Sequence, residues 1–268
     1  LVGNNATGYL PTAVRFTAQA ARGNLEPQKI KLFKTDTASL DQLNNSPLGI
    51  AGASTRVDTV GGALPAVALS TPSKQITPDL NREGVDAAAK APEALGSARI
   101  AFQQGTQALD SKGQPIALTG SIALSALYYG SQQAASLQSF PGGFATPVQG
   151  TLPAGSASNG QGIFITGGFA SFHLVDANGT ALKRFDRPLS IQMDLRRSSI
   201  NPVTRAKFKA GDEFPVYSFD EQTGQWTYET QGQVVEKSTP DRDFLEVRFT
   251  TQHLSYWNLD HYPPSCTI

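Results

Sequence analysis

Cysteine is nearly absent. Cys266 is the single one in 268 residues, so no disulfide can form within the chain and the fold must stand on its core. Histidine is scarce as well: His173, His253 and His261 are too few and too scattered to suggest a metal site by spacing. Charge is sparse and balanced, with Lys+Arg and Asp+Glu each totalling 22. That balance removes the basic footprint of a nucleic-acid binder and the polybasic stretch of a membrane anchor. No apolar run approaches the roughly 18–20 residues needed to cross a bilayer, so direct membrane insertion is not expected. The longest run, Ile122–Tyr129, is interrupted by Ser125 and reads as a buried strand. There is no signal-peptide pattern, and the opening at Leu1 is that of a mature or excised fragment.

Several catalytic and cofactor motifs are missing too. Gly155–Gly162 is glycine-rich, but no Gly-Lys-Ser/Thr follows it as a phosphate loop requires. There is no Gly-x-Ser-x-Gly elbow and no His-Glu-x-x-His zinc helix. Asp212/Glu213 and Asp220/Glu221 are adjacent pairs, which strands would point to opposite faces as solvated side chains. The expectation is a protein without cofactor or metal and without conventional enzyme activity.

What the chain does have is 25 Gly, 17 Pro and many Ser, Thr, Asn and Gln. This is the texture of strands joined by turns. Low cysteine is equally compatible with the cytosol. The texture and low charge instead point to an extracellular or cell-surface setting, with a periplasm as the variant.

Two-residue alternation is the dominant pattern. Leu189, Ile191, Met193 and Leu195 point one way, and Ser190, Gln192 and Asp194 point the other way, toward solvent. Leu245-Glu-Val-Arg-Phe249 repeats the pattern, and Val14/Phe16, Ile30/Leu32, Ile100/Phe102 and Phe169–Val175 extend it. Between strands, Asp110–Gly113, Asp176–Gly179 and Glu221–Gly224 place glycine where a turn wants positive φ. Each turn offers only one or two carboxylates, too few for a calcium loop. Short helices are expected at Thr37–Leu43, Ser131–Phe140 and within Asp79–Leu95. The fold class is therefore all-β, an antiparallel β-sandwich with few short helices.

The layout expected is a β-rich N-terminal segment or lobe over 1–95, a sandwich over 96–262, and a linker over 263–268 leading into a further domain. Gly150–Gly162 reads as a long exposed loop. Tyr128, Tyr129, Trp226 and Tyr228 are candidate ligand-contact aromatics for a glycan, with a core aromatic pair beside a hairpin as the plainer reading of Trp226 and Tyr228.

Four segments carry a family resemblance. Ser97-Ala-Arg-Ile-Ala-Phe-Gln-Gln-Gly-Thr106 looks like the first strand and turn of a ZU-five domain, with Gln103-Gln104 where that family usually has proline. Gly179–Ile191, which contains Phe185 and Pro188-Leu189, looks like its Gly, Phe, x-x-Pro-Val strand. Val216–Trp226 looks like its hairpin with Trp, and Gln252-His-Leu-Ser-Tyr-Trp257 like its closing His-Phe-Ser strand. From Ser97 to Asp260 the chain thus resembles ZU-five modules, and is similar to modules of cartilage intermediate layer protein and of bacterial surface proteins.

The resemblance implies a non-catalytic structural or binding module of a multidomain surface protein, with adhesion as the role it suggests. Its implied partners are neighbouring domains and a protein or glycan ligand. It also implies an alternative, because relatives with this closing triplet can cut their own backbone. Here Ser255 Oγ would attack the Leu254 carbonyl carbon, with His253 taking the hydroxyl proton and water hydrolysing the resulting ester. That chemistry needs the Leu254–Ser255 peptide strained. A carbohydrate-binding adhesin domain is the third reading.

Overall fold

The computed structural model describes residues 34–78, 91–157, 162–239 and 241–264, with the backbone of two short paired strands, β1 (Val2–Gly3) and β2 (Ala13–Val14). The chain continues through α1 (Thr37–Asn44), β3 (Ile50–Asp58), β4 (Val67–Ser70), β5 (Gln75–Ile76), β6 (Glu93–Ala94), β7 (Ala98–Phe102), β8 (Ala108–Leu109), β9 (Pro115–Ile116) and β10 (Ser121–Tyr129). Then follow α2 (Ala134–Leu137), β11 (Val148–Gln149), β12 (Ile165–Val175), β13 (Arg184–Arg196), β14 (Glu213–Asp220), β15 (Gln225–Val235), β16 (Phe244–His253) and β17 (Tyr256–His261). Phe16, Ile30, Leu32, the greater part of the Asp79–Leu95 helix expectation and Cys266 lie outside the described residues. The described end of that stretch, beyond Pro92, is extended, with Glu93–Ala94 paired to Gln75–Ile76.

The fold is all-β. A 13-stranded sheet runs β3-β10-β12-β17-β14-β15-β16-β13-β7-β4, with β8, β9 and β11 attached at its side. Its pairings are antiparallel except β11 with β15. The sheet curls until it is nearly barrel-shaped, and its end strands β3 and β4 approach each other. The layers expected to be two sheets are thus joined by one hydrogen-bonded ladder, which the β14–β15 hairpin carries from one side to the other. Bulges at Val216/Tyr217 and Arg184/Leu189 supply the bends, since an unpaired extra residue sharpens local twist.

The expected boundary near residue 96 does not separate two sheets. β3 pairs with β10 and β4 with β7, so residues on both sides of the boundary share one sheet. Composition changes at that point, but hydrogen-bond pairing leaves no trace in composition. At the other end, Tyr262 is buried and its hydroxyl donates to Thr146 O at 2.7 Å, which ties the last residue of the expected sandwich span to the β10–β12 connection.

Inside the curl lies one apolar cluster that includes Ile100, Phe172, Phe185, Ile191, Val247 and Trp257. A second cluster lies on the outer face of β10, β12, β17 and β14, under α1 and the β10–β12 connection. Strands between the two clusters are buried on both faces. On β10, Leu124, Ala126 and Tyr128 face the first and Leu127 and Tyr129 the second. This is why Ile122–Tyr129 shows no alternation, and why Phe169–Leu174 is buried throughout rather than half-buried. Ala157, in the stretch expected as an exposed loop, packs in the second cluster.

The alternation from Leu189 to Leu195 places Leu189, Ile191, Met193 and Leu195 in the core. Asp194 was expected in solvent and is only 4% exposed. Its outward face is roofed by Ser97, whose N–H and Oγ donate to Oδ2 at 2.9 and 3.0 Å, and by Lys237, whose Nζ lies 2.8 Å from Oδ1. Two of the turns follow the expected chemistry closely. Asp110 Oδ1 accepts from Lys112 and Gln114 N–H, and Asp176 Oδ1 from Asn178 and Thr180 N–H, while Gly113 and Gly179 take φ of 78° and 84°. These carboxylates brace their own turns.

Candidate functional site

The corner between β16 and β17 holds the His253-Leu254-Ser255 triplet. β16 belongs to one wall of the curl and β17 to the other, so the chain crosses between walls at Leu254 and Ser255. The crossing is heavily tied. Leu254 N–H donates to Lys183 O at 2.9 Å, and its side chain is buried in the first cluster. Ser255 Oγ accepts from Phe219 N–H at 3.1 Å and donates to Phe219 O. Phe172 N–H donates to Ser255 O at 3.3 Å.

His253 turns elsewhere. Its Nε2 lies 3.3 Å from Glu229 Oε1, and its ring centroid is 4.9 Å from that of Trp257. Ser218 Oγ donates to the same Glu229 oxygen at 2.6 Å. Burial pushes the Glu229 carboxyl up, but the hydrogen bonds from His253 and Ser218 outweigh it and hold the group below the usual carboxylate range. The structure therefore brings His253 to Glu229 and Ser255 to the Phe219 backbone, and does not join imidazole to hydroxyl. Among the described non-glycine residues only Arg205 has positive φ, so neither Leu254 nor Ser255 carries that form of backbone strain.

Two hollows flank the Glu229–His253 contact and share both residues together with Gln252. One is a cleft of about 750 Å³ bounded by the Asp110 turn, Lys183, Arg184, Ser218 and the β14–β15 turn. The other, about 390 Å³, is lined by Pro188, Thr230, Thr250, Thr251 and Trp257. They exist because β15 and β16 pair only over Gln233–Val235 and Glu246–Arg248 and then part, as β16 heads for the corner. Lys183 is ion-paired to Glu221 across the larger hollow.

The aromatics expected as a glycan platform lie mostly inside. Tyr128, Tyr129 and Trp226 are buried, so their faces are not available for stacking on a sugar. Tyr129 stacks on Phe169 with centroids 4.3 Å apart. Trp226 stacks on Phe140 at 4.9 Å, and its indole N–H donates to Pro141 O at 2.8 Å, anchoring the β10–β12 connection. Tyr228 is half-buried, edge-on to Tyr217 at 5.6 Å. The hydrophobic return on covering these rings exceeds what a surface platform would leave in water, which is why a second layer claims them.

Sequence reasoning missed Glu229, Ser218 and Arg184. Nothing local distinguishes these polar residues from others on the same strands; only the register of β13, β14, β15 and β16 brings them around one opening. Among the described residues no three metal-ligating side chains converge. No protein-family model, curated protein or solved structure matches this chain.

Proposed function

We propose that this chain is a non-catalytic structural and binding module of a multidomain extracellular or cell-surface protein, built as a ZU-five-like unit. The observation that carries the reading is the fixed corner. Ser255 Oγ is held by both backbone groups of Phe219, and the only base near it in sequence, His253, is engaged by Glu229. A hydroxyl spent on structural hydrogen bonds is no nucleophile in waiting; it rivets β17 to β14.

The four motif segments also support the likeness to ZU-five modules. They fall on β7, β13, the β14–β15 hairpin and the β16–β17 corner, a connected part of one sheet. The surface setting rests on composition, and the neighbouring domains of the parent protein are the expected partners.

The test is denaturing intact-mass measurement after prolonged incubation at neutral pH. One species of 28.5 kDa is expected. A break between Leu254 and Ser255 that Ser255→Ala abolishes would replace this reading with self-cleavage. For location, a membrane-impermeant amine reagent applied to intact cells making the parent protein should label it. Labelling only after lysis would remove the surface setting.

A further inference from the structure

We propose that the connection between β13 and β14, residues 197–211, is a contact finger for an anionic lipid surface, adsorbing on it without crossing it. The finger leaves the ends of β13 and β14 opposite to those that border the larger hollow. It is therefore separate from the corner, and its test leaves the reading of the corner untouched.

Two aliphatic side chains stand out of the finger. Ile200 is 52% and Val203 63% exposed. The base beneath them is packed: the Phe208 ring is buried, with its centroid 4.8 Å from that of Phe214 and 5.8 Å from that of His261. The tip is braced as well. Asn201 N–H donates to Ala206 O at 2.8 Å, Arg205 N–H to Asn201 O at 2.7 Å, and Asn201 Oδ1 accepts from Val203 N–H at 2.9 Å. Ile163 and Ile165 are exposed too, and Ile165 is the cross-strand partner of His261 at the base of the finger. Single exposed apolar residues are ordinary, but of those in the described part only Val60 lies away from this end.

Whole-chain neutrality conceals a local excess of positive charge. From Leu195 to Gly211 there are five basic residues and no carboxylate. Arg196 and Arg197 are paired with Glu93 and Glu236. Arg205, Lys207 and Lys209 are exposed and make no ion pair among the described residues. The next carboxylates, Asp212 and Glu213, stand at the base, where Asp212 Oδ2 accepts the Lys209 N–H at 3.0 Å. Arg205 has φ of 57°, a left-handed conformation that suits Gly or Asn better. Its bracing maintains that strain, and the result is a free guanidinium two residues from the Val203 tip.

Shape and charge together select the occupant. The finger projects and lines neither hollow, so it offers no wall to a small ligand. A projecting aliphatic tip needs a soft apolar medium, and cations set back from it need anions in a layer just outside that medium. Lys207 bridges to Ile200 through its backbone, and Lys209 lies two residues further from the tip. Lysine stems can follow the tip toward the acyl boundary while their ammonium groups stay among the headgroups. An anionic bilayer supplies both layers, whereas a folded acidic protein would need a preformed socket for the tip.

Sedimentation of the full chain with vesicles tests this. The chain should pellet with vesicles of phosphatidylglycerol and phosphatidylcholine in equal parts, and stay in solution with phosphatidylcholine alone. Raising the salt should weaken the partition, because exposed charges are screened. Lys207→Gln with Lys209→Gln should weaken it about tenfold or more, the loss of two cations near the surface. Ile200→Ser with Val203→Ser should weaken it by about the same factor, through lost apolar area. All four side chains are exposed, so the melting temperature should not move. Mixed vesicles should slow amide exchange within 200–209 and not at the corner. No pelleting with mixed vesicles, equal pelleting with phosphatidylcholine alone, or pelleting that either double variant retains would overturn the proposal. Binding to poly-glutamate by a chain that leaves the vesicles alone would overturn it too, and would assign the finger to an acidic protein partner.

Discussion

Lys237 Nζ sits 2.8 Å from Oδ1 and 2.9 Å from Oδ2 of Asp194, clamping the β15–β16 connection onto the C-terminal end of β13. Burial pushes the Asp194 carboxyl up, while Lys237 and the Ser97 N–H and hydroxyl oppose that shift. Removing the cation strands a buried carboxylate, which costs more than the pair itself contributes. Lys237→Met should lower stability by about 2–4 kcal/mol in urea unfolding. Adding Asp194→Asn to Lys237→Met should recover part of that loss. Equal losses for the single and double variants would show that the clamp acts through packing alone.

Acid should weaken the fold well above the carboxylate range. Burial, with Lys183 adding to it, pulls His173 down to about 3, and burial pulls His261 down to about 4. Both pKa values are depressed relative to an unfolded histidine near 6.5, so the unfolded chain takes up protons first. Their stabilising contribution is complete above pH 6.5 and is lost as pH falls toward 4 and 3. The urea midpoint should drop between pH 7 and pH 5, and His173→Phe should flatten that slope. Asp194 and Asp260, whose carboxyls burial pushes up, act in the opposite direction as pH falls, so the reading is the difference between the two proteins: the same slope in wild type and His173→Phe would contradict the burial of that ring.

Ser255→Ala should act on stability. It leaves the Phe219 N–H and carbonyl without their buried partner, at a cost of about 1–3 kcal/mol. Thermal unfolding should report that loss while the intact mass differs from wild type by the substitution alone. No change in melting temperature would mean that the rivet is replaced by water.

Gly168 sits at a bulge in β12 with φ of 130°, and a Cβ there would lie 2.6 Å from Tyr128 Oη. Both the backbone and the space require glycine. Gly168→Ala should cost about 2 kcal/mol or more, read from the chemical-denaturation midpoint. Pairing it with Tyr128→Phe should relieve the steric part and leave the conformational part.

Ile191 lies fully inside the first cluster. Ile191→Ala should lower stability by about 2–5 kcal/mol, the lost transfer energy plus the cavity left behind. A loss under about 1 kcal/mol by urea unfolding would mean the surrounding strands collapse into the gap.

The sequence by itself determined the strand class, the inward set of β13 and β16, and the Asp-x-x-Gly turns at Asp110 and Asp176. These are local properties: a two-residue period selects a face, and a carboxylate two residues before an amide closes its own turn. Tertiary structure decided the rest. A strand reports its periodicity only when one face is wet, so the second cluster erased the pattern on β10 and β12 and hid Tyr128, Tyr129 and Trp226. Asp194 obeys the alternation in direction but not in exposure, because Ser97 and Lys237 arrive from other elements to cover it. His253 and Ser255 are two residues apart, yet the corner between the walls sends one to Glu229 and the other to Phe219. Such partners are set by the register of strands distant in sequence, which burial and backbone pairing fix together and no local pattern encodes.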